Sequence, residues 1–269
     1  MICDVKDIPI FYQEYGRGVP VLCMHGYMCD HRLMTGCLEP VFARTSGYRR
    51  IYIDLPGMGN TPAPSWLENA DQMMDIVIQF VKNTIGDEKF LVAGESYGGY
   101  LTLGLLCKMA EQISGILLVA PAVKADKSKR LLPQKQLLYT EPGFVPIEEY
   151  REVAAMATPR GYDAYMYQVM VGISAADADF IQRYAANGYA LTCENEFNRL
   201  KYSGPATVIL GRQDYVVGYA DALALLENFS RATFAVLDCA GHGVQVEQEA
   251  IFNKCVEDWL WRAENTGGK

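Results

Sequence analysis

Gly94-Glu95-Ser96-Tyr97-Gly98 places a serine between glycines two residues away on either side. An apolar run (90–93) leads into this pattern and a segment of helical period (99–109) leaves it. A strand that turns so abruptly into a helix drives its central residue into a strained backbone conformation, which flanking glycines permit because they carry no Cβ to clash. The Ser96 hydroxyl is therefore predicted to stand clear of a sheet at a helix N-terminus, placed to act as a nucleophile. Glu95, beside it, is expected to point elsewhere and is assigned a structural role.

A serine hydroxyl needs a base, and the chain offers His25, His31 and His242. His25 ends an apolar run in His25-Gly26-Tyr27, where it is expected to shape a turn, and His31 lies in the loop or helix that follows. His242, in Ala240-Gly241-His242-Gly243, follows the last apolar run and so falls at the carboxyl edge of the sheet, where open α/β sheets bind ligands. His242 is the predicted base. The imidazole must be oriented by a carboxylate, and Asp214 in Gly211-Arg212-Gln213-Asp214 follows a strand at the matching edge. Asp221, expected on the next helix, and Asp238, at the end of the next strand, are the rivals; the turn position favours Asp214. Charge developing on a tetrahedral oxygen calls for fixed donors, and the backbone N–H groups of Tyr97 and Tyr27 are the candidates, with Met28 competing for the second place.

The elements needed to position these groups are visible as short apolar runs (19–24, 51–55, 90–93, 116–120, 208–210 and 234–237) alternating with stretches of helical period. That rhythm predicts βα units feeding a mostly parallel sheet covered on both faces. Residues 8–15 carry Pro9, which suits a strand start or an antiparallel edge. Met73, Val77, Phe80 and Val81 form one helical stripe, stopped by Gly86, and Phe252, Cys255, Val256 and Trp259 form another. The rhythm breaks between Lys124 and Ser203, where no strand-like run occurs and short helices are expected between turns at Pro133, Pro142-Gly143, Pro146 and Pro159-Arg160-Gly161. The predicted organisation is a core of residues 1–123 and 204–269 with an inserted helical cap at 124–203. The Gly267-Gly268 end is expected to fray.

With 269 residues, half of them hydrophobic and 21% charged, the chain can build a sizeable core. Its formal net charge of −8 has the wrong sign for nucleic acid or anionic lipid. No run approaches the length of a membrane span and no signal-like N-terminus is visible, so the expected location is the cytoplasm. The eight cysteines form no C-x-x-C pair and are read as reduced packing residues, and with three histidines no metal site is expected.

Taken together, His25-Gly26 after a strand, Asp54-Leu55-Pro56-Gly57-Met58-Gly59, Gly94-Glu95-Ser96-Tyr97-Gly98-Gly99, Gly211-Arg212-Gln213-Asp214 and Gly241-His242 resemble the α/β-hydrolase superfamily over residues 8–123 and 206–261. The resemblance implies an α/β-hydrolase fold with an eight-stranded sheet, one antiparallel edge strand, no cofactor and a Ser96-Asp214-His242 triad. Ser96 departs from the aspartate nucleophile of haloalkane dehalogenases, which disfavours carbon–halogen cleavage. His25-Gly26-Tyr27-Met28 departs from the Gly-Gly-Pro-Gly that follows the histidine in proline iminopeptidases and counts against that activity.

The expected function is a serine hydrolase of the carboxylesterase type, cleaving a small ester or thioester through an acyl-enzyme. Carbon–carbon hydrolysis of a diketone, acyl transfer and iminopeptidase-like aminopeptidase action would use the same triad. A ligand-binding protein that keeps the fold without turnover is the reading outside enzymes. The partner is a small molecule, and pairing into a homodimer is left undecided. Specificity is expected in the cap, rich in tyrosines such as Tyr139, Tyr150, Tyr162, Tyr165, Tyr184 and Tyr189, two or three of them facing substrate and the rest joining cap to core. The basic stretch 124–130 is read as a solvated loop.

Overall fold

In the computed structural model, which describes residues 1–266, the chain opens with a hairpin: β1 (Ile2–Val5) turns through Lys6 and Asp7 into β2 (Ile8–Gly16). Both turn residues have positive φ, 50° and 65°, the geometry that lets a two-residue turn follow the twist of its strands. Strands and helices then alternate: β3 (Val19–Met24), α1 (His31–Phe42), β4 (Tyr48–Ile53), α2 (Ala70–Thr84), β5 (Phe90–Glu95), α3 (Tyr97–Met109) and β6 (Ile113–Val119). Next come β7 (Tyr139–Thr140), α4 (Glu148–Arg151), β8 (Met156–Ala157), α5 (Pro159–Tyr165), a π-helical turn (Met166–Met170), α6 (Val171–Ala175) and α7 (Ala178–Asn187). The alternation resumes with β9 (Ala206–Gly211), α8 (Ala220–Leu223), β10 (Ala232–Leu237), α9 (Val244–Glu247) and α10 (Glu249–Thr266). The Gly-Gly end expected to fray lies outside the described residues.

Eight strands form one sheet in the order β1-β2-β4-β3-β5-β6-β9-β10. Only β2 runs against its neighbours, pairing antiparallel with β1 and β4, while the remaining pairings are parallel. The antiparallel strand is thus one place in from the edge, not at it. β1 escaped sequence reading because its four residues, only one of them buried, make no apolar run. Pro9 is tolerated because β2 pairs with β4 only from Tyr12 onward, so no carbonyl of that strand stands opposite its missing N–H.

β5 and β9 are buried along their whole length, as expected for central parallel strands covered on both faces. The α2 stripe packs inward behind a capping box in which Asn69 Oδ1 accepts the Gln72 amide and the Gln72 side chain accepts the Asn69 amide. Phe252, Val256 and Trp259 of α10 are fully buried, with Cys255 half-buried beside them. All eight cysteines are free.

Residues 120–205 leave the sheet after β6 and return to the neighbouring strand β9. Their short helices lie mainly between residues 148 and 199, after a stretch that is largely irregular, and β7 and β8 pair in parallel where no strand was expected. A two-residue pairing is a matter of backbone hydrogen bonds and has no periodicity to detect. Among the described residues, no helix is long and apolar enough to cross a membrane.

Candidate active site

Ser96 sits between β5 and α3 with φ 50° and ψ −109°, a conformation that L side chains rarely adopt. Its neighbours hold it there. The Ser96 amide donates to the Val119 carbonyl, and its own carbonyl accepts from Tyr100 and Ala122, each at 3.0 Å. A Cβ at Gly94 would lie 2.3 Å from the Gly98 carbonyl oxygen, and one at Gly98 would lie 2.1 Å from that of Met24. The glycines therefore let the helix approach β3 and β5 closely enough to make the turn.

His242 Nε2 stands 3.1 Å from Ser96 Oγ, and His242 Nδ1 stands 2.9 Å from Asp214 Oδ2. The other Asp214 oxygen accepts the amides of Val216 and Val217 at 2.8 and 3.1 Å. Asp214 is only 1% exposed. Burial alone would raise its pKa, but His242 and the two amides hold the carboxyl below its ordinary value. The rivals face other partners: Asp238 is exposed and bound by Gln213, whereas Asp221 takes Lys124 and the Leu131 amide. The residues selected by sequence, Ser96, Asp214 and His242, are brought into one hydrogen-bonded chain.

Tyr27 and Tyr97 both border the cavity in front of Ser96. Tyr97 opens α3, so its N–H has no partner within the helix. Met28, the alternative to Tyr27, has φ 66° and lies outside the cavity lining. His25 is fully buried and accepts the Leu55 amide at Nε2, 3.0 Å away, which fixes the turn as expected. His31 starts α1, with Nδ1 2.8 Å from Asp54 and Nε2 3.0 Å from Gln13. Asp30, His31 and Asp54 lie within metal-ligand distance of one another, but Arg32 and Asn60 share the remaining carboxylate oxygens, so the trio is a closed hydrogen-bond network.

The structure departs from sequence reading at Glu95. Its carboxyl lines the same cavity, 4% exposed, with Oε1 3.5 Å from His242 Nε2. A Cβ on Gly26 would meet Oε2 at 2.3 Å, so that glycine makes the room Glu95 occupies. Burial pushes the carboxyl up to about 7, with Asp214 adding to the rise and His242 opposing it. Burial also disfavours a charged His242, yet Asp214, by charge and hydrogen bond, and Glu95 outweigh it and raise the imidazole to about 9. A signal was available: the last residue of a strand buried on both faces has no solvent side to which a carboxylate can turn.

The cavity holds about 230 Å³. Its floor is Gly26, Glu95, Ser96 and His242, and its far wall comes from the 124–203 segment through Val153, Tyr165, Val169, Ile173 and Tyr189. Of the tyrosines named above, Tyr165 and Tyr189 therefore face the cavity. Tyr184 instead hydrogen-bonds the Tyr97 hydroxyl at 2.6 Å, and Tyr150 and Tyr162 pack together in a cluster of their own. Residues 126–129 are exposed, as a solvated loop would be, but Arg130 is buried and lines the cavity together with Lys127, which corrects the reading of 124–130 at that end.

One carboxylate joins this wall to the histidine loop. Glu247 accepts the Ala155 and Met156 amides at 2.6 and 2.7 Å through Oε1 and the Gly241 amide at 2.7 Å through Oε2. The His242 amide in turn donates to the Val153 carbonyl at 3.0 Å.

Comparison with known proteins agrees with this architecture. A family model described as the alpha/beta hydrolase fold matches residues 19–249. A 2-hydroxy-6-oxononadienedioate/2-hydroxy-6-oxononatrienedioate hydrolase of Paraburkholderia phymatum is 24% identical, over 94% of this chain and 91% of its own length. A 3-oxoadipate enol-lactonase of Acinetobacter baylyi is 27% identical, over 78% of each chain. The crystal structure of an alpha/beta superfamily hydrolase from Oenococcus oeni superposes with a TM-score of 0.89 at 29% identity, covering 95% of this chain and 97% of that one. With its sheet order, its strained serine turn and a family match spanning most of its length, the chain belongs to the alpha/beta hydrolase fold family.

Proposed function

We propose that the protein is a serine hydrolase cleaving a small carboxylic ester or thioester through an acyl-enzyme, with Ser96 as nucleophile, His242 as base and Asp214 as the acid. The observation that carries this reading is the unbroken chain from Ser96 Oγ through His242 to Asp214 at the floor of a confined cavity. Ser96 Oγ attacks the carbonyl carbon as His242 Nε2 takes its proton, and the tetrahedral oxyanion is received by the Tyr27 and Tyr97 amides. Collapse expels the alcohol or thiol, which takes the proton from His242. Water, activated by the same imidazole, then releases the acid and restores Ser96. Asp214 holds the ring in the tautomer that exposes Nε2 to serine. None of these steps draws on a metal or an organic cofactor.

Residues 124–203 act as the cap that closes over Ser96, and the cytoplasm is the proposed working location. A cavity of about 230 Å³ falls below the roughly 300–1,000 Å³ common for drug-sized ligands, which supports a small substrate. A fluorophosphonate probe is expected to label Ser96 and to spare Ser96→Ala, with mass spectrometry locating the adduct. Labelling elsewhere, or none, would overturn the assignment.

A second reading, carbon–carbon hydrolysis of an oxo-dienoate, is favoured by the near full-length likeness to the Paraburkholderia phymatum hydrolase. It uses the same attack on a carbonyl, with a carbanion as the leaving group. The ratio of kcat/KM for a 2-hydroxy-6-oxo-dienoate to that for an aryl ester separates the two.

A further inference from the structure

We propose that Arg130, with Lys127 beside it, is an anion-reading site in the Ser96 cavity, and that the substrate carries a carboxylate at the end remote from the bond being cleaved. This rests on the reading of Ser96 as the nucleophile and adds to it the chemical class of the substrate.

Arg130 is 9% exposed. A guanidinium removed from water ordinarily finds a carboxylate, because an uncompensated buried charge is costly. Arg130 has none within ion-pair distance among the described residues. Its partners are all neutral: the Lys124 carbonyl at 2.9 Å from Nε, the Val216 carbonyl at 3.0 Å from Nη1, and the Ala125 carbonyl at 3.3 Å and Tyr189 hydroxyl at 2.7 Å from Nη2. Those bonds leave one of the five guanidinium N–H groups, on Nη1, without a partner.

The acids nearby are committed to other cations. Asp221 takes Lys124 at 2.7 Å, and Asp126 takes Lys129 at 3.2 Å. The chain therefore pairs Lys124 and Lys129 and leaves the buried Arg130 with its charge unmet. A staple between loops would need only the carbonyl bonds; it would not need that charge to border a cavity.

Position decides where the anion lies. Arg130 binds the Val216 carbonyl, two residues beyond Asp214, and the Tyr189 hydroxyl, so its guanidinium belongs to the wall formed by Val216, Val217 and Tyr189. Lys127 lines the same cavity without an ion-pair partner among the described residues. Besides the neutral Tyr27, Cys29, Tyr97, Tyr165 and Tyr189, the remaining acid–base groups at this space are Glu95, His242 and, behind it, Asp214. With one proton shared between Glu95 and His242 and Asp214 ionised, this group carries a net charge of −1 wherever the proton sits, which disfavours an anion at the serine end, directs the charged end toward Arg130 and leaves the neutral carbonyl over Ser96. The planar fork of arginine favours a carboxylate over a spherical anion, and the confined volume favours a short dicarboxylic half-ester.

The test uses the intact protein and glutarate as the probe, with glutaramide as its uncharged counterpart and inorganic phosphate as the competing anion. Calorimetric titration is expected to show glutarate binding at least about tenfold tighter than glutaramide, with the difference lost in Arg130→Gln and largely kept in Arg130→Lys. Equal binding of glutarate and glutaramide, tighter binding of phosphate than glutarate, or an undiminished difference in Arg130→Gln would each overturn the proposal. If Arg130→Gln fails to fold, the wild-type comparison and Lys127→Ala carry the test: Lys127→Ala is expected to narrow the glutarate preference, and an unchanged preference counts against the site. Fluorophosphonate labelling does not depend on this site. Labelled Ser96 without a glutarate preference refutes only the anion site, and a glutarate preference without labelling refutes only the serine mechanism.

Discussion

Glu95 and His242 compete for one proton across 3.5 Å of cavity, between Oε1 and Nε2. An ionised Glu95 keeps His242 protonated and unable to accept from Ser96, whereas a protonated Glu95 leaves the imidazole free to act at the same total number of bound protons. Glu95→Gln removes the competitor. The acidic limb of the kcat/KM profile is expected to move to lower pH, so that activity at about pH 6 rises relative to about pH 8. A limb that stays in place or moves upward refutes this coupling.

The same carboxyl gives a stability prediction of definite sign. Its folded pKa, about 7, lies above its ordinary value of 4.5, so the folded state holds the proton longer and stability falls as pH rises through that interval. Glu95→Gln is expected to lessen the fall in Tm between about pH 5 and about pH 8. Thermal unfolding at the two pH values measures it, and an equal or larger fall in the variant contradicts it.

Ser96→Ala and His242→Ala should each reduce ester turnover to near background, and the double variant should lose little more, because nucleophile and base act as a unit. Asp214→Asn should lower kcat by about 10⁴ through the wrong imidazole tautomer. Asp238→Asn, at an exposed position bound to the Gln213 side chain and away from His242, serves as the comparison and should stay within about twofold. Steady-state kinetics decide among these, and a severe loss in Asp238→Asn with a mild one in Asp214→Asn would reverse the assignment.

Gly98→Ala puts a Cβ 2.1 Å from the Met24 carbonyl oxygen, a backbone atom that cannot swing aside. The expected cost is about 2–4 kcal/mol, with loss of turnover as the Ser96 turn is displaced. Urea unfolding together with fluorophosphonate labelling reads both effects. A variant as stable and as readily labelled as wild type would show that the turn tolerates a wider opening.

Among simple aryl esters, short acyl groups should outperform long ones, and aminoacyl amides should be poor, since Tyr165, Val169, Ile173 and Tyr189 close the space opposite Ser96. An acyl-chain series in kcat/KM checks this. A steady rise toward long chains would mean that the wall yields.

What could be read from the sequence followed the strength of its local signal. The central strands declared themselves as apolar runs because both faces are buried, and the serine turn because only glycine fits the approaches at 94 and 98. Asp214 and His242 followed from their places after successive strands. β1 and the β7–β8 pairing were missed because short ladders held by backbone bonds have no side-chain rhythm. Glu95 and Arg130 were misjudged for a different reason. Composition marks them as surface residues, and only the packing around them takes away the solvent.

Glu247 gives the enclosure a mechanical meaning. Its carboxylate grips the wall at Ala155 and Met156 and the histidine loop at Gly241, while Val153 holds the His242 amide itself. Wall and base are therefore tied by four hydrogen bonds. A strain on the 153–156 segment would reach the His242 backbone directly, so the spacing between imidazole and serine hydroxyl is set in part by the wall that faces them, and a substitution there can detune the base without touching it.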